Sequence, residues 1–441
     1  MPDWFYRTVS QPLSQHLELL LDEATRSTAI FLIDGELRSD GNRHLGRIAF
    51  DAALNTLKTL RMQMGHQGAI LVAGGIHQPA DARIMREAGA DFVQIDTGLI
   101  FSGPGLCKRI NASILHPLPE GMAANNEAAT AAESPQRYSW FWTGLLGVAM
   151  ALGSLIALWI AATDVVLPYD LEFCGLSREQ LVALNPNLLP FMSHDRVTLA
   201  GSMIALGVMY TGLSLWGSRK GHSWAKTAIL LSAGAGFFSF FLFLGFDYFD
   251  PFHGFVTAVL FQLFTLGLYA RISNTRAAPS VDWEESFSWK MGLWGQLLMV
   301  MHSVGLLLAG TIICFIGIND VLIGTDLAFL NTDYETLQAA DSKIIPLVAH
   351  DRATLGGMLV SAGIVYLLIV LWGIERSARW LWHTLWWSAL AAYTLTIGVH
   401  FKIGYTDWLH LLPAFIGLAM LTLGMGLLFS WMHARPTKGV P

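Results

Sequence analysis

Two copies of the tripeptide His-Asp-Arg are the residues of this sequence best suited to hold a charged ligand. They occur in LLPFMSHDRVTLAGSMIALGVMYTGLSLWG at 188–217 and in IIPLVAHDRATLGGMLVSAGIVYLLIVLWG at 344–373. A second polar pattern, Tyr-x-Asp-x-x-His, also occurs twice, at 248–253 and 405–410. Its Asp and His are three residues apart, so they share one face of a starting helix. An acid at a helix start is also favoured by the helix dipole.

Two interpretations of these motifs stay open. In the first, each triplet lies just before a membrane helix, caps it and pairs with the other copy, and the Asp fixes the His tautomer for packing. In the second, the motifs form a pseudo-symmetric site on the outer side of a membrane for an ion, a metal or a polar ligand, because ionisable groups near a membrane interior are usually functional. The spacing does not show that the side chains converge, so it assigns no metal ligands. The candidate outer polar site consists of His194, Asp195, Arg196, Asp250, His253, His350, Asp351, Arg352, Asp407 and His410.

Two glycine-containing turns near the N-terminus indicate a different chemistry. Gly74-Gly75 follows the apolar run AILVA at 69–73, and Thr97-Gly98 follows DFVQID at 91–96. A turn directly after a strand exposes backbone N–H groups, and two such turns at the C-terminal face of a β/α barrel form a cradle for phosphate. The four residues are therefore candidates for binding a phosphate-bearing cofactor.

The segment around these turns resembles the closing two β-α units of the quinone-linked (class 2) dihydroorotate dehydrogenases. GGI, Asp81, REAGA, VQI, TGLI and GPGL follow the family's order and spacing over roughly residues 45–115. The resemblance implies flavin mononucleotide (FMN) with its phosphate on the two turns, oxidoreductase activity, and quinone as the electron acceptor. Asp96 stands where the family usually has Tyr, and the family's flavin-contacting Lys and Asn and its catalytic Ser have no counterpart here. No catalytic residue is assigned.

The N-terminal segment is too short for a whole barrel. A β-α pattern occurs three times, with strands at 29–34, 69–73 and 91–96 and helices at 47–65, 79–89 and 104–114. A complete barrel needs about 200 residues or more, so we expect a partial, TIM-barrel-like α/β domain. Its open strand edges would be costly in isolation, which favours a homo-oligomer or a partner that completes the barrel.

The remainder of the chain is suited to lipid. Hydrophobic residues make up 53% of the sequence and charged residues only 14%, against about 25% charged in soluble domains. The apolar stretches are near the 20 residues that cross a bilayer and are apolar all round, unlike the helices of a soluble bundle. Eight transmembrane helices are predicted, at 140–163, 197–217, 227–246, 253–271, 291–318, 353–373, 380–400 and 408–432.

The membrane part repeats itself. The two His-Asp-Arg segments match at an offset of 156 residues, and each unit holds four predicted helices. An even number of spans makes the units parallel repeats. The loops at 218–226, 271–290 and 374–379 and the tail at 433–441 are richer in Lys and Arg than the opposite loops, which predicts cytoplasmic termini in a multi-pass inner-membrane protein. The predicted domains are 1–117 (partial barrel), 118–137 (linker), 138–272 (first repeat) and 273–441 (second repeat).

Composition excludes several classes of function. The net charge of −6 leaves no basic surplus for nucleic acid, and the three cysteines match neither a disulfide framework nor a thiolate metal site. A heme conduit through His302, His383 and His400 is disfavoured because no helix offers a clear partner at one level. We expect a membrane-bound, dihydroorotate dehydrogenase-like flavin oxidoreductase that passes electrons to quinone. The alternative is a non-enzymatic transporter or sensor with a vestigial phosphate-binding domain.

Overall fold

The computed structural model describes most of the membrane part and much of the N-terminal unit. It covers residues 6–8, 30–34, 36–37, 43–44, 49–65, 68–115, 134–240, 248–249, 251–272 and 286–435. Asp250 and all but the last residues of the predicted linker at 118–137 lie outside the described residues.

The N-terminal unit is a parallel sheet with helices. Its strands are β1 (Tyr6–Thr8), β2 (Ile30–Asp34), β3 (Glu36–Leu37), β4 (Arg43–His44), β5 (Ala69–Ala73) and β6 (Phe92–Gln94). Its helices are α1 (Phe50–Met64), α2 (Pro79–Glu87), α3 (Thr97–Ser102) and α4 (Leu106–Leu115). The described sheet has the order β1-β2-β5-β6 with every pair parallel, while β3 and β4 form a separate antiparallel pair. From β2 to β6, each described β-α unit therefore adds its strand beside the preceding one.

The membrane part consists of long apolar helices joined by short amphipathic ones. The helices are α5 (Ser139–Thr163), α6 (Pro168–Cys174), α7 (Arg178–Leu184), α8 (Leu188–Gly212, continued by a π turn at Leu213–Gly217), α9 (Ser223–Phe240), α10 (Pro251–Tyr269), α11 (Phe287–Ile318), α12 (Gly324–Leu330), α13 (Tyr334–Ala340), α14 (Ile344–Trp372), α15 (Arg379–Ile403) and α16 (Trp408–Met432).

Helix length and surface both indicate a membrane protein. Among the described residues, five helices are long and apolar enough to cross a bilayer: α5, α8 with its continuation to Lys220, α11, α14 and α16. Large apolar side chains cover their outer faces, including Trp159 (69% exposed) and Phe315 (63% exposed). Such exposure is costly in water and favourable in lipid.

Each of the two central helices, α8 and α14, contacts helices from both segments of the membrane part, 138–272 and 273–441. Helix α8 packs on α5 of its own segment and on α15 of the other, while α14 packs on α11 and on α9. The central helices α8 and α14 also contact each other. Equivalent polar contacts lie at the predicted offset, since Tyr210 and Ser232 are joined at 2.7 Å and Tyr366 and Ser388 at 2.8 Å.

The helix starts predicted for the two His-Asp-Arg segments are wrong. Helices were expected from 197 and 353, with each triplet ahead of its helix, but α8 begins at Leu188 and α14 at Ile344. Pro190 and Pro346 lie in the first turn, where proline is tolerated because its missing N–H has no helical partner there. Both triplets therefore lie inside a helix, across its second and third turns, instead of capping it. Five of the six residues are buried, and Arg196 is half-buried.

Candidate functional site

A cluster of charged residues connects the two central helices. We call it the polar centre, and it consists of Asp170, His194, Asp195, Arg196, Asp326, His350, Asp351 and Arg352. The triplets come from the second and third turns of α8 and α14, and the two further aspartates come from the first turns of α6 and α12.

Each arginine of the polar centre binds one carboxylate from its own segment and one from the other. Arg196 donates to Asp170 at 2.8 Å and to Asp351 at 2.8 Å. Arg352 donates to Asp326 at 2.6 Å and to Asp195 at 3.4 Å. The pairing therefore crosses between α8 and α14 and fixes their register at this end of the bundle.

Strained backbone supports both arginines. Val165 and Val321 adopt positive φ angles of 64° and 60°, a conformation that is rare for β-branched residues. Their carbonyl oxygens accept from Arg196 at 2.5 Å and from Arg352 at 2.7 Å. Strain of this kind costs about 1–3 kcal/mol per residue and persists where the surroundings over-determine it.

The two further aspartates of the polar centre are held as firmly as the arginines. Asp170 and Asp326 accept the backbone N–H groups of Leu167 and Ile323, each at 2.8 Å. Tyr248 donates its hydroxyl proton to Asp170, and Tyr405 donates to Asp326 at 2.8 Å. Burial and the neighbouring Asp326 raise the pKa of Tyr405, so this phenol stays a proton donor at neutral pH.

The charges of the polar centre do not balance. It contains two arginines and four aspartates, and Asp170, Asp195, Asp326 and Asp351 are all at least 95% buried. A buried charge without compensation is very unfavourable. In the described part of the chain, the polar centre therefore has two more negative charges than positive charges. Protons or a bound cation must compensate this surplus.

Histidines lie at the two ends of the polar centre in unequal numbers. Nε2 of His194 lies 2.9 Å from Nε2 of His400, and one ring nitrogen each from His194, His400 and His410 fall within 4.8 Å of one another. At the other end the ring of His350 lies 5.0 Å from Tyr248 and 5.6 Å from His253.

The structure thus separates the residues of the predicted outer polar site into several groups. His194 meets His410, His350 meets His253, and both sets of Asp and Arg join the polar centre. Asp407 instead caps α16 by accepting the His410 N–H at 2.9 Å. The site predicted from the sequence did not include His400, which was considered only for a heme conduit, nor Asp170 and Asp326.

The first glycine turn has a backbone conformation that only glycine adopts easily. Gly74 and Gly75 have φ angles of 112° and 71°. A Cβ on Gly98 would lie 2.0 Å from the Ile76 carbonyl oxygen, so the two turns are in direct contact. His77 joins them from the first turn, because its Nε2 lies 2.9 Å from Thr97 Oγ1.

The carboxylate of Asp96 occupies one of the N–H groups expected to bind phosphate. Its Oδ1 accepts the Thr97 backbone N–H at 2.6 Å and lies 3.2 Å from the Thr97 hydroxyl. A phosphate would meet a negative charge at this position. In the described arrangement, the turns do not fit the phosphate of a flavin unless Asp96 moves away.

The N-terminal unit docks on the ends of the membrane helices. The Phe101 ring lies between the His77 ring at 5.4 Å and the Trp289 ring of α11 at 5.7 Å. Arg109 donates to the Trp372 carbonyl at the end of α14 at 3.2 Å. Gly105 lies so close that a Cβ there would be 2.4 Å from the same oxygen.

Two groups of opposite charge, Arg109 and Glu375, influence each other at this docking surface. Burial raises the pKa of Glu375, and the nearby Arg109 opposes that rise. Burial also lowers the pKa of Arg109, with Glu375 acting in the opposite direction. The pair and the polar centre are at opposite ends of α14, because the helix rises about 1.5 Å per residue and Asp351 and Trp372 are therefore roughly 30 Å apart.

Comparison with known proteins relates the N-terminal unit to one family. Residues 46–118 match the dihydroorotate dehydrogenase family model. The quinone-type dihydroorotate dehydrogenase of Chloroflexus aurantiacus is 39% identical over 83 residues, which are 19% of this chain and 23% of that protein. The enzyme of the same name from Methylibium petroleiphilum is 46% identical over 61 residues, which are 14% of this chain and 18% of that protein.

The chain is thus a dihydroorotate dehydrogenase-like fragment joined to an apolar helical region. It spans about a fifth of the length of the curated relatives that it matches. No solved structure matches the chain.

Proposed function

We propose that this protein is a non-enzymatic membrane protein, transporter-like or sensor-like, whose polar centre binds a cation. The observation that carries the proposal is the surplus of buried carboxylates over arginines. In a low-dielectric interior this surplus attracts a positive charge strongly. The dihydroorotate dehydrogenase-like unit serves as a docked cytoplasmic module.

The proposal includes a topology. Eight helices cross the cytoplasmic membrane as two parallel four-helix repeats, and both termini are cytoplasmic. The distribution of Lys and Arg supports this orientation. The separation along α14 agrees with it, because the docked unit contacts Trp372 while the polar centre lies near the other end of the helix. The polar centre then faces the outer side.

Thermal unfolding of the purified full-length protein in detergent tests cation binding. A cation that binds only the folded protein raises the unfolding temperature progressively as its concentration increases. We expect one class of cation to do so in the natural protein, and a variant with both Asp195→Asn and Asp351→Asn, which removes the two surplus negative charges, to lose the response. If no cation changes the unfolding temperature, the proposal is wrong. Uptake of that cation into proteoliposomes would identify a transporter, and binding without uptake a sensor.

A second candidate is a flavin oxidoreductase that passes electrons to quinone, which the family match favours. The partial barrel would then need its remaining β/α units from a second copy or a partner. A visible absorbance spectrum with flavin bands, with or without added FMN, would support this candidate. An Asp96→Asn variant keeps the hydrogen bond to Thr97 but removes the charge, so it should bind FMN at least about tenfold more tightly than the natural protein. Absent binding in both proteins would exclude this candidate.

A further inference from the structure

Three histidines from three different helices meet at one end of the polar centre. His194 belongs to α8, His400 to α15 and His410 to α16. The packing of α15 on α8 makes this meeting possible, because it brings the end of α15 against α8. His194 and His400 are buried, and His410 is half-buried at the start of its helix.

The Nδ1 atom of each ring faces a hydrogen-bond acceptor. His400 Nδ1 lies 2.6 Å from the Thr396 carbonyl oxygen, which can only accept, so Nδ1 carries the proton. His410 Nδ1 lies 3.2 Å from the Tyr405 oxygen, and the phenol proton goes to Asp326. That oxygen therefore accepts from His410.

His194 follows the same pattern with a carboxylate. Its Nδ1 lies 2.9 Å from Asp195 Oδ1, although the contact is not aligned as a hydrogen bond. In the neutral rings Nε2 then carries no proton, so its lone pair is available to a metal ion in all three histidines. Metal-binding histidines commonly have this arrangement, with the second ring nitrogen directed to a carboxylate, a carbonyl or another acceptor.

Nε2 of His194 lies 2.9 Å from Nε2 of His400. In the tautomers assigned above, both atoms present a lone pair, and a cation between them removes the repulsion. Zinc-nitrogen bonds of about 2.0–2.1 Å in tetrahedral geometry need nitrogens about 3.3 Å apart. Small side-chain rotations supply that spacing within a group whose donor atoms already lie within 4.8 Å.

We propose that His194, His400 and His410 bind one divalent transition-metal ion of the imidazole-preferring class, such as Zn²⁺, with a fourth coordination position open. Neutral imidazole favours zinc, copper, iron and nickel over Ca²⁺ or Mg²⁺. The inference rests on the proposed cation-binding function and names its ligands. The ion compensates for the negative charge of Asp195 and its neighbours in the polar centre.

Among the described residues, three histidines meet at one end of the polar centre only. His350 and His253 correspond to His194 and His410, but the position 157 residues before His400 is Phe243. The pair His253 and His350 therefore provides two imidazoles at most, and metal binding is expected to be asymmetric between the segments. This asymmetry gives the experiment a natural control.

The test measures metal in the full-length protein after purification in detergent without a histidine tag. After dialysis against Zn²⁺, we expect about one zinc per chain by mass spectrometry. Co²⁺ should give visible absorption bands of a site with nitrogen ligands and fewer than six donors. His400→Phe, which copies the residue of the other segment, should lower Zn²⁺ affinity at least about 100-fold, while His253→Ala should leave it unchanged. His410→Ala is a second ligand variant should His400→Phe fail to fold.

The outcomes separate this inference from the proposed function. Zinc bound equally by the natural protein and by a folded His400→Phe or His410→Ala variant would overturn the three-histidine site. Stabilisation by Na⁺ or Ca²⁺ without zinc binding would also overturn it, but would keep the proposed cation-binding function. If none of these ions binds, both are wrong.

Discussion

At the scale of single residues, the two arginines of the polar centre have the largest structural role. Each guanidinium meets two buried carboxylates and a strained backbone carbonyl, so no other side chain can replace it. A planar guanidinium is suited to this task because its donors form a fixed fork. Removing one partner from a buried ion pair costs more than the pair contributes, since the other charge stays buried.

Replacing Arg352 by leucine should therefore strongly destabilise the protein. The change leaves Asp195 and Asp326 buried without their cation, and we expect a loss of about 3–5 kcal/mol in the free energy of unfolding. Arg178→Leu is the matched control, because its guanidinium donates to the Asp164 carbonyl at the surface and should contribute about 1 kcal/mol or less. Denaturant unfolding in detergent measures both. Equal effects of the two substitutions would show that the buried pairs are not structurally important.

The sequence predicted some of these residues and missed others for physical reasons. The internal repeat identified both His-Asp-Arg triplets, because a motif that occurs twice in one chain can be recognised without comparison to related sequences. It did not identify His400, whose counterpart Phe243 has no polar side chain. Contact between His194 and His400 depends on how α15 packs, and helical periodicity carries no information on the partner of an apolar helix.

At the scale of helices, glycines allow close approach where α11 crosses α14. A Cβ on Gly310 would lie 2.6 Å from the Val360 backbone nitrogen, and one on Gly356 would lie 2.5 Å from the Cys314 nitrogen. Small residues are typical of such crossings between membrane helices, where packing and not the hydrophobic effect holds the helices together. The crossing fixes α14, and α14 supplies half of the triplet residues in the polar centre.

Gly310→Ala and Gly426→Ala are the same chemical change in two environments. At Gly310 the new methyl group meets backbone atoms, so we expect a loss of about 1–3 kcal/mol. Gly426 is exposed on α16 with nothing within 4 Å of its Cβ position, so alanine there should be neutral or stabilise by up to about 1 kcal/mol. The unfolding temperature in detergent distinguishes them. A loss at Gly426 equal to that at Gly310 would contradict the tight crossing.

Element positions were predicted better than element ends. Helices occur at all eight stretches expected from hydropathy, but five of them meet the length and composition of a membrane span within the described residues. The predicted strand at 91–96 is shorter, at Phe92–Gln94, and Thr97-Gly98 begins helix α3 instead of a loop. The N-cap Asp96 explains the second difference, since its side chain accepts the first N–H of the helix.

At the scale of the whole molecule, two polar regions lie at the two ends of the same helices. The polar centre is at the start of α14, and the docked N-terminal unit contacts its end. A rigid helix of this kind is a physical connection between the two regions. Coupling would still require two arrangements of the helix with different stability, each favoured by one site.

Docking of the N-terminal unit can be tested through Gly105. A methyl group there would meet the Trp372 carbonyl oxygen at 2.4 Å, so Gly105→Ala should separate α4 from the end of α14. We expect amide hydrogen exchange in residues 97–115 to become faster while exchange in α8 and α14 stays unchanged, because local opening raises exchange only where contacts are lost. Asn111→Ala, on the exposed face of α4, should leave exchange as in the natural protein. Unchanged exchange in Gly105→Ala would mean that the unit is held by other contacts, and Phe101 against Trp289 would be the next to remove.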